Sequence, residues 1–271
     1  MHDTIISRNN VKIFGQGDTT LMFAHGFGCD QTMWRYITPA FASEHKIVLF
    51  DYVGSGESDL SYYDFERYSS LSGYAQDIVD ICDALSLNDV ILVGHSVSCM
   101  IGVLASIKKP DAFKSLILIA PSVRYINDLP SGYYGGFEKE DIDGIFDVME
   151  SNYAGWANFL APVIMKNPER PELAAELEES FCTNDPEINK RFARVTFLSD
   201  SRDDVLKITH PTLVMQCSED IIAPETAGLY IYENVTGSNY IKMQAIGHCP
   251  HMSHPKETIK YIDNYITALQ H

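Results

Sequence analysis

Ser96, Asp220 and His248 lie far apart in the chain, yet their types and order are those of an acyl-transfer triad. A serine hydroxyl is a poor nucleophile until a base removes its proton. Ser96 sits in Gly94-His95-Ser96-Val97-Ser98, straight after the apolar run Val90-Ile91-Leu92-Val93 and just before a helix-like stretch. That context reads as a nucleophile elbow, a strained strand-to-helix turn that lifts the hydroxyl above a sheet edge. The turn demands small residues two before and two after the serine. Gly94 meets the demand; Ser98 stands where glycine is usual, a departure of one hydroxymethyl group. His248 follows Gly247 and the run Tyr240-Ile241-Lys242-Met243, and is the expected base. Its competitors are His251 and His254, but Pro250 and Pro255 disrupt any helix that would align the three as a metal-binding face. Asp220 closes Leu213-Val214-Met215-Gln216-Cys217-Ser218-Glu219-Asp220 and precedes the apolar turn Ile221-Ile222-Ala223-Pro224, which predicts a buried carboxylate. Glu219, with its longer arm, is the alternative acid and otherwise a solvated side chain. The acid's task is to fix the imidazole tautomer and stabilise the imidazolium.

Acyl transfer also needs backbone N–H donors for the oxyanion, one from the residue after the nucleophile and one from a loop after an early strand. Val97 supplies the first. His25-Gly26-Phe27-Gly28, after the run Leu21-Met22-Phe23-Ala24, supplies the second, with Phe27 the expected donor. Asp51-Tyr52-Val53-Gly54-Ser55-Gly56 also follows a strand, but no G-K-[ST] completes a phosphate loop, so it reads as structural.

To position these groups the chain must alternate strands and helices. Leu21–Ala24, Ile47–Phe50, Val90–Val93, Leu116–Ile119 and Leu213–Met215 are apolar at every position, as parallel strands covered on both faces require. Ser69–Leu85, Ser96–Lys108 and Pro255–Leu269 have helical spacing. Thr4–Ser7 and Val11–Phe14, flanking Asn9-Asn10, predict an edge hairpin. From Pro121 to about Asp204 the rhythm breaks into helices only: Glu140–Phe159, Pro171–Thr183 and Pro186–Leu198. These elements predict an α/β-hydrolase fold, a mostly parallel doubly wound sheet. Residues 1–120 and 205–271 form its core, and 121–204 a helical cap whose aromatics, Tyr134 and Phe159 among them, divide between packing and a ligand cavity.

The 271 residues carry 20 Lys and Arg against 37 Asp and Glu, a net charge of −17, which disfavours nucleic acid and anionic membranes as partners. The N-terminus MHDTIISRNN has neither a basic nor an apolar leader segment. Cys29, Cys82, Cys99, Cys182, Cys217 and Cys249 form no C-x-x-C pair and read as reduced thiols of a cytoplasmic protein. No G-x-G-x-x-G turn suits a nicotinamide or flavin, and no cofactor or metal is expected. Ser96 at the elbow also argues against dehalogenation, which needs aspartate there.

With those residues in place the chain resembles the RsbQ group of bacterial stress-signalling hydrolases and the related plant strigolactone and karrikin receptors. The likeness runs through His25-Gly26-Phe27-Gly28-Cys29-Asp30, Leu49–Gly56, Gly94–Ser98, Arg124-Tyr125-Ile126-Asn127-Asp128, Gly135-Gly136-Phe137-Glu138 and Gly247-His248-Cys249-Pro250-His251. The resemblance implies a cap of four helices in a V over a hydrophobic pocket. Phe27, Tyr125, Phe137, Trp156, Leu160, Phe197 and Ile222 match positions expected to line it, with His95 beside the nucleophile. It further implies slow turnover of a small hydrophobic ester or lactone in stress signalling, with a PAS-domain PP2C-type serine phosphatase as partner. A plain metabolic carboxylesterase and a binding-only receptor are the competing readings.

Overall fold

Alternate residues of the central strands face opposite sides of one sheet, and both sets are apolar. The computed structural model describes residues 2–269. Strands β1 (Lys12–Gly15), β2 (Thr20–Ala24), β3 (Lys46–Leu49), β4 (Val90–His95), β5 (Phe113–Ile119), β6 (Thr212–Gln216) and β7 (Ser238–Lys242) are ordered β1-β3-β2-β4-β5-β6-β7. Only β1 is antiparallel to its neighbour. Leu21, Phe23, Ile91, Val93, Ile117 and Ile119 enter one core, while Met22, Ala24, Leu92, Leu116 and Leu118 enter the other. Two buried faces need cover from helices on both sides, which is why these runs carry no polar alternation.

The helices are α1 (His2–Arg8), α2 (Leu71–Ala84), α3 (Val97–Lys108), α4 (Lys139–Ser151), α5 (Tyr153–Met165), α6 (Pro171–Thr183), α7 (Pro186–Phe197), α8 (Arg202–Val205), α9 (Glu225–Asn234), α10 (Pro250–Ser253) and α11 (Pro255–Ala268). Ile78 and Ile81 of α2 and Val103 of α3 pack into the second core; Ile262 and Ile266 of α11 pack into the first. Helices α4 to α7 stand between β5 and β6. Their Ile142, Phe146, Trp156, Leu160, Leu177 and Phe197 join the first core, so this insertion shares its hydrophobic interior with the sheet.

Two elements differ from expectation. The edge hairpin does not form: Thr4–Ser7 belongs to α1, and β1 pairs with β3. The reason is tertiary. Arg8, at the helix end, reaches Asp77 at 3.2 Å and Asp80 at 3.0 Å, while Asn9 donates to the Asp51 carbonyl and to Asp77. A hairpin would strand that guanidinium and leave Asp77, wholly buried, short of partners. The second difference is a break at Asn152, where Glu140–Phe159 was expected to be one helix. Asn152 leaves helical geometry (φ −153°, ψ 76°) and its side chain accepts from the Gly155 amide, ending α4 and capping α5. Helix α5 then runs past Phe159 to Met165 with Pro162 inside it.

The loop expected to be structural is so: the Asp51 carboxylate accepts from the Gln31 and Glu57 amides and from Asn10. Among the described residues no helix is long and apolar enough to cross a membrane.

Candidate active site

Strand β4 delivers Ser96 straight into α3, with no residue to spare for a loop. Ser96 therefore adopts φ +57°, ψ −125°, a conformation that L-residues rarely occupy. The strain is held by sheet and helix: the Ser96 amide donates to the Ile119 carbonyl at the end of β5 (2.9 Å). A Cβ on Gly94 would sit 2.7 Å from the Ser98 carbonyl oxygen, which explains the small residue two before the nucleophile. Ser98 fits two after it, wholly buried.

The loops after β6 and β7 pair with each other. Ser218 donates to Ala245, Gly247 donates to Glu219, and Glu219 and Ile246 form a parallel bridge. This pairing sets Asp220 beside His248. Asp220 Oδ2 lies 2.6 Å from His248 Nδ1, and His248 Nε2 lies 2.7 Å from Ser96 Oγ. The other carboxylate oxygen, Oδ1, accepts from the Ile222 and Ala223 amides at 2.8 and 3.0 Å. With Nδ1 donating to the carboxylate, Nε2 is left to accept the serine proton. Asp220 and His248 side chains are almost fully buried, where such charge-assisted bonds are strong. Glu219 instead pairs with Lys166 at the surface.

The neighbouring histidines play other parts. His95 Nε2 donates to the His248 carbonyl (2.8 Å), and burial pushes its pKa well below the ordinary value. His251 lies wholly buried against Trp34 and His95, and burial lowers its pKa to about 3. His254 turns to Ser253. Among the described residues His95, Cys249 and His251 bring donor atoms within 4.8 Å of one another, as a metal site would. His95 donates one ring nitrogen to the His248 carbonyl, burial holds the Cys249 thiol well above its ordinary pKa, and the three side chains lie beneath the base.

Because β2 pairs with β4 in parallel (Ala24 beside Gly94), the His25–Gly28 loop leaves the sheet next to Ser96. A Cβ on Gly26 would lie 2.6 Å from His95 Nδ1 and 3.4 Å from Ser96 Cβ, so glycine is required for this approach. The Val97 amide opens α3, where the first N–H groups have no partner within the helix and the dipole favours negative charge. Phe27, on the loop after β2, and Val97, at the start of α3, thus flank Ser96.

Over Ser96 lies a cavity of about 30 Å³, lined by Phe27, His95, Tyr125, Leu160, Phe197 and Ile222 and also by Cys29, Ile164, Leu177, Phe181, Thr196 and Cys249. Two expected lining residues are absent from it. Trp156 stands one layer back, its ring 5.0 Å from Phe181 and 6.2 Å from Phe27, because those smaller rings occupy the space in front. Phe137 is drawn aside by backbone bonds with Tyr125 and Asn127. Phe159 and Tyr134 are exposed. Of the residues not expected there, Ile164 lies on α5 and Leu177 and Phe181 on α6, at helical spacing within their helices (Leu160/Ile164, Leu177/Phe181); Thr196 lies on α7, and Cys29 and Cys249 on loops beside the site. That spacing marks an inward face without saying what the face meets. The Tyr125 hydroxyl stands beside Ser96 without a hydrogen bond of normal geometry, and the buried Thr196 hydroxyl has no described partner either.

The sequence profile of the alpha/beta hydrolase family matches residues 21–260. The chain is 37% identical over 259 residues to the karrikin insensitive 2 receptor CA of Petunia hybrida, covering 95% of each chain. It is 36% identical over 259 residues to the strigolactone esterase D14 of Arabidopsis thaliana, covering 95% of this chain and 96% of that one. The solved structure of a hydrolase from Oleispira antarctica superposes with a TM-score of 0.95 at 42% identity, over 98% of this chain and 97% of the other. These matches bear out the plant side of the resemblance seen in the sequence and do not bring in the stress-signalling side. The chain belongs to the alpha/beta hydrolase family, related to the plant karrikin and strigolactone receptors.

Proposed function

We propose that the chain is a serine hydrolase that cleaves a small hydrophobic ester or lactone, with Ser96 as nucleophile, His248 as general base and Asp220 as the acid that orients it. The observation that carries this reading is the unbroken line of contacts from Ser96 Oγ through His248 to Asp220, at 2.7 and 2.6 Å. Ser96 Oγ attacks the carbonyl carbon while its proton passes to His248 Nε2. The oxyanion accepts from the Phe27 and Val97 amides. Collapse breaks the carbon–oxygen bond, and His248 returns the proton to the leaving alkoxide. Water, deprotonated by the same imidazole, then frees the acid from Ser96. The reaction so written calls for no cofactor or metal.

Residues 121–204 act as the lid. Their apolar lining selects a hydrophobic ligand, while the Tyr125 and Thr196 hydroxyls suit one with further oxygen atoms, since a buried hydroxyl without a partner costs about 1–3 kcal/mol. A cavity of about 30 Å³ has room for little more than a water molecule, so a ligand must part the cap helices from the sheet end to enter. Slow turnover, at most a few events per minute on generic esters, follows in this reading. It leaves room for a second one, in which ligand-triggered shape change is the output; relatives named both as receptors and as an esterase favour it. The free thiols, five of the six buried, suit a reducing cytoplasm. For a PAS-domain PP2C-type phosphatase as partner the support is the sequence resemblance, and its recovery by pull-down with the ligand present is the test.

A fluorophosphonate probe is expected to label Ser96, and Ser96→Ala to abolish both labelling and p-nitrophenyl acetate hydrolysis. A variant that turns over unchanged would end the proposal.

A further inference from the structure

We infer that Ser98, the residue in place of the elbow glycine, is a positioning residue that fixes the direction of the Phe27 oxyanion donor. The inference rests on the hydrolase reading above and names a part of the site that reading leaves unassigned. Ser98 is wholly buried, and its hydroxyl donates to the His25 carbonyl, at the head of the loop that carries Phe27. One hydroxyl has one proton, so the second contact, to Tyr52 Oη at 2.8 Å, has Tyr52 as the donor. Tyr52, also wholly buried, donates its backbone N–H to His25 Nε2 at 3.2 Å. That leaves Nε2 as acceptor and places the ring proton on Nδ1, which donates to the Gly26 carbonyl at 2.9 Å.

The last bond matters for a geometric reason. The Gly26 carbonyl and the Phe27 N–H belong to one planar peptide unit and point in opposite directions. Holding the carbonyl through His25 therefore aims the Phe27 N–H. Ser98 holds the preceding peptide unit, through the His25 carbonyl. A chain of directed bonds thus runs from Tyr52 through Ser98 to His25, and from His25 to the peptide that donates to the oxyanion. A glycine at position 98 would satisfy the sterics of the elbow and leave the His25 carbonyl and the Tyr52 hydroxyl, both buried, without this partner. The strand-to-helix turn that presents the nucleophile and the loop that presents the oxyanion donor are coupled by one hydroxyl.

The test uses the full chain with Ser98→Ala, Ser98→Gly and Tyr52→Phe, assayed on p-nitrophenyl acetate beside Ser96→Ala. Deleting an oxyanion donor outright costs about 10²–10³ in kcat, and loosening one costs part of that: roughly ten- to fiftyfold for either Ser98 variant, with KM within about twofold. Tyr52→Phe, which removes only the bond to Ser98, is expected to cost a few-fold. Inhibition by phenylboronic acid, whose tetrahedral serine adduct uses the same donors, should weaken in parallel with kcat/KM. Thermal melting identifies any Ser98 variant that fails to fold; Tyr52→Phe then decides by the same split. Unchanged kcat in the folded variants, or a loss confined to KM, overturns the inference. If Ser96→Ala itself remains active, the hydrolase reading falls first; if Ser96→Ala is dead while the Ser98 variants match the parent, only this inference falls.

Discussion

At the sheet end the proposed reactive groups beside Ser96 are held by directed hydrogen bonds: Asp220 by two amides, His248 by Asp220, the His248 carbonyl by His95, and the Phe27 loop by Ser98 and His25. Over it, α5, α6 and α7 contribute Leu160, Ile164, Leu177, Phe181 and Phe197, held by non-directional apolar contact. The first kind of construction tolerates no displacement, because hydrogen bonds fail steeply with angle and distance. The second tolerates sliding, since apolar burial depends on area and not on direction. The two meet at a few polar ties. The His248 amide donates to the Ile164 carbonyl at the end of α5, and Asn184 and Ser180 at the end of α6 donate to Gly28. The lesson, in the hydrolase reading proposed above, is a division of labour: the floor sets reactivity, the cap controls access, and the ties join the cap to both loops beside Ser96.

The comparison breaks if a cap substitution damages chemistry as much as a floor substitution does. Asp220→Asn should leave the geometry in place but favour the wrong imidazole tautomer, lowering kcat on p-nitrophenyl acetate by about 10⁴, the drop seen when a triad aspartate is so replaced. Leu160→Ala, on the cap side, should cost about 2–5 kcal/mol of stability by urea denaturation. Its kcat on the acetyl ester should stay close to the parent's, while the butyrate-to-acetate rate ratio rises. An equal loss on both esters would show that the cap takes part in the chemical step.

The floor has its own acid limit. His251 is neutral when folded, with its pKa lowered by burial to about 3 against an ordinary 6.5, and His95 is lowered likewise. Below pH 6.5 the unfolded chain binds protons that the folded chain refuses. Stability is therefore complete above 6.5 and declines as pH falls toward 3, by about 1.4 kcal/mol per pH unit for each such histidine. His251→Phe, which keeps a ring against Trp34, should flatten this decline in melting temperature between pH 7 and 4.5; an identical slope in the variant would place the acid lability elsewhere. The smallest effect is expected at a tie. Asn184→Ala removes bonds to the Gly28 carbonyl and the Gly56 amide, and should cost about 1 kcal/mol while raising hydrogen exchange at the end of α6. Exchange unchanged there would mean that apolar contact alone seats the cap.

What could be read from the chain follows the range of the forces involved. The runs of Leu21–Ala24, Val90–Val93 and Leu213–Met215 are legible because a twice-covered strand must be apolar throughout. Gly94-His95-Ser96 is legible because a strand-to-helix turn without a loop is a local constraint. Asp220 and His248 could be named because each closes a strand run. The edge hairpin was misread because the decisive partner of Arg8 is Asp77, 69 residues away, and local β-propensity at Ile5 and Ile6 says nothing of it. Trp156 and Phe137 were expected in the cavity and are not there, since an inward helical face does not reveal which of several aromatic rings stands in front.

The sequence by itself determined the strand and helix rhythm, the elbow and the candidate side chains around it, because each is a matter of local sterics and burial. Only the tertiary structure decided that the cavity is small, that Phe181 and Thr196 border it, and that the hydroxyl of Ser98 binds the facing loop. Those depend on the positions of atoms from segments that meet only when the chain is packed, and no periodicity along one segment encodes the neighbour it will touch.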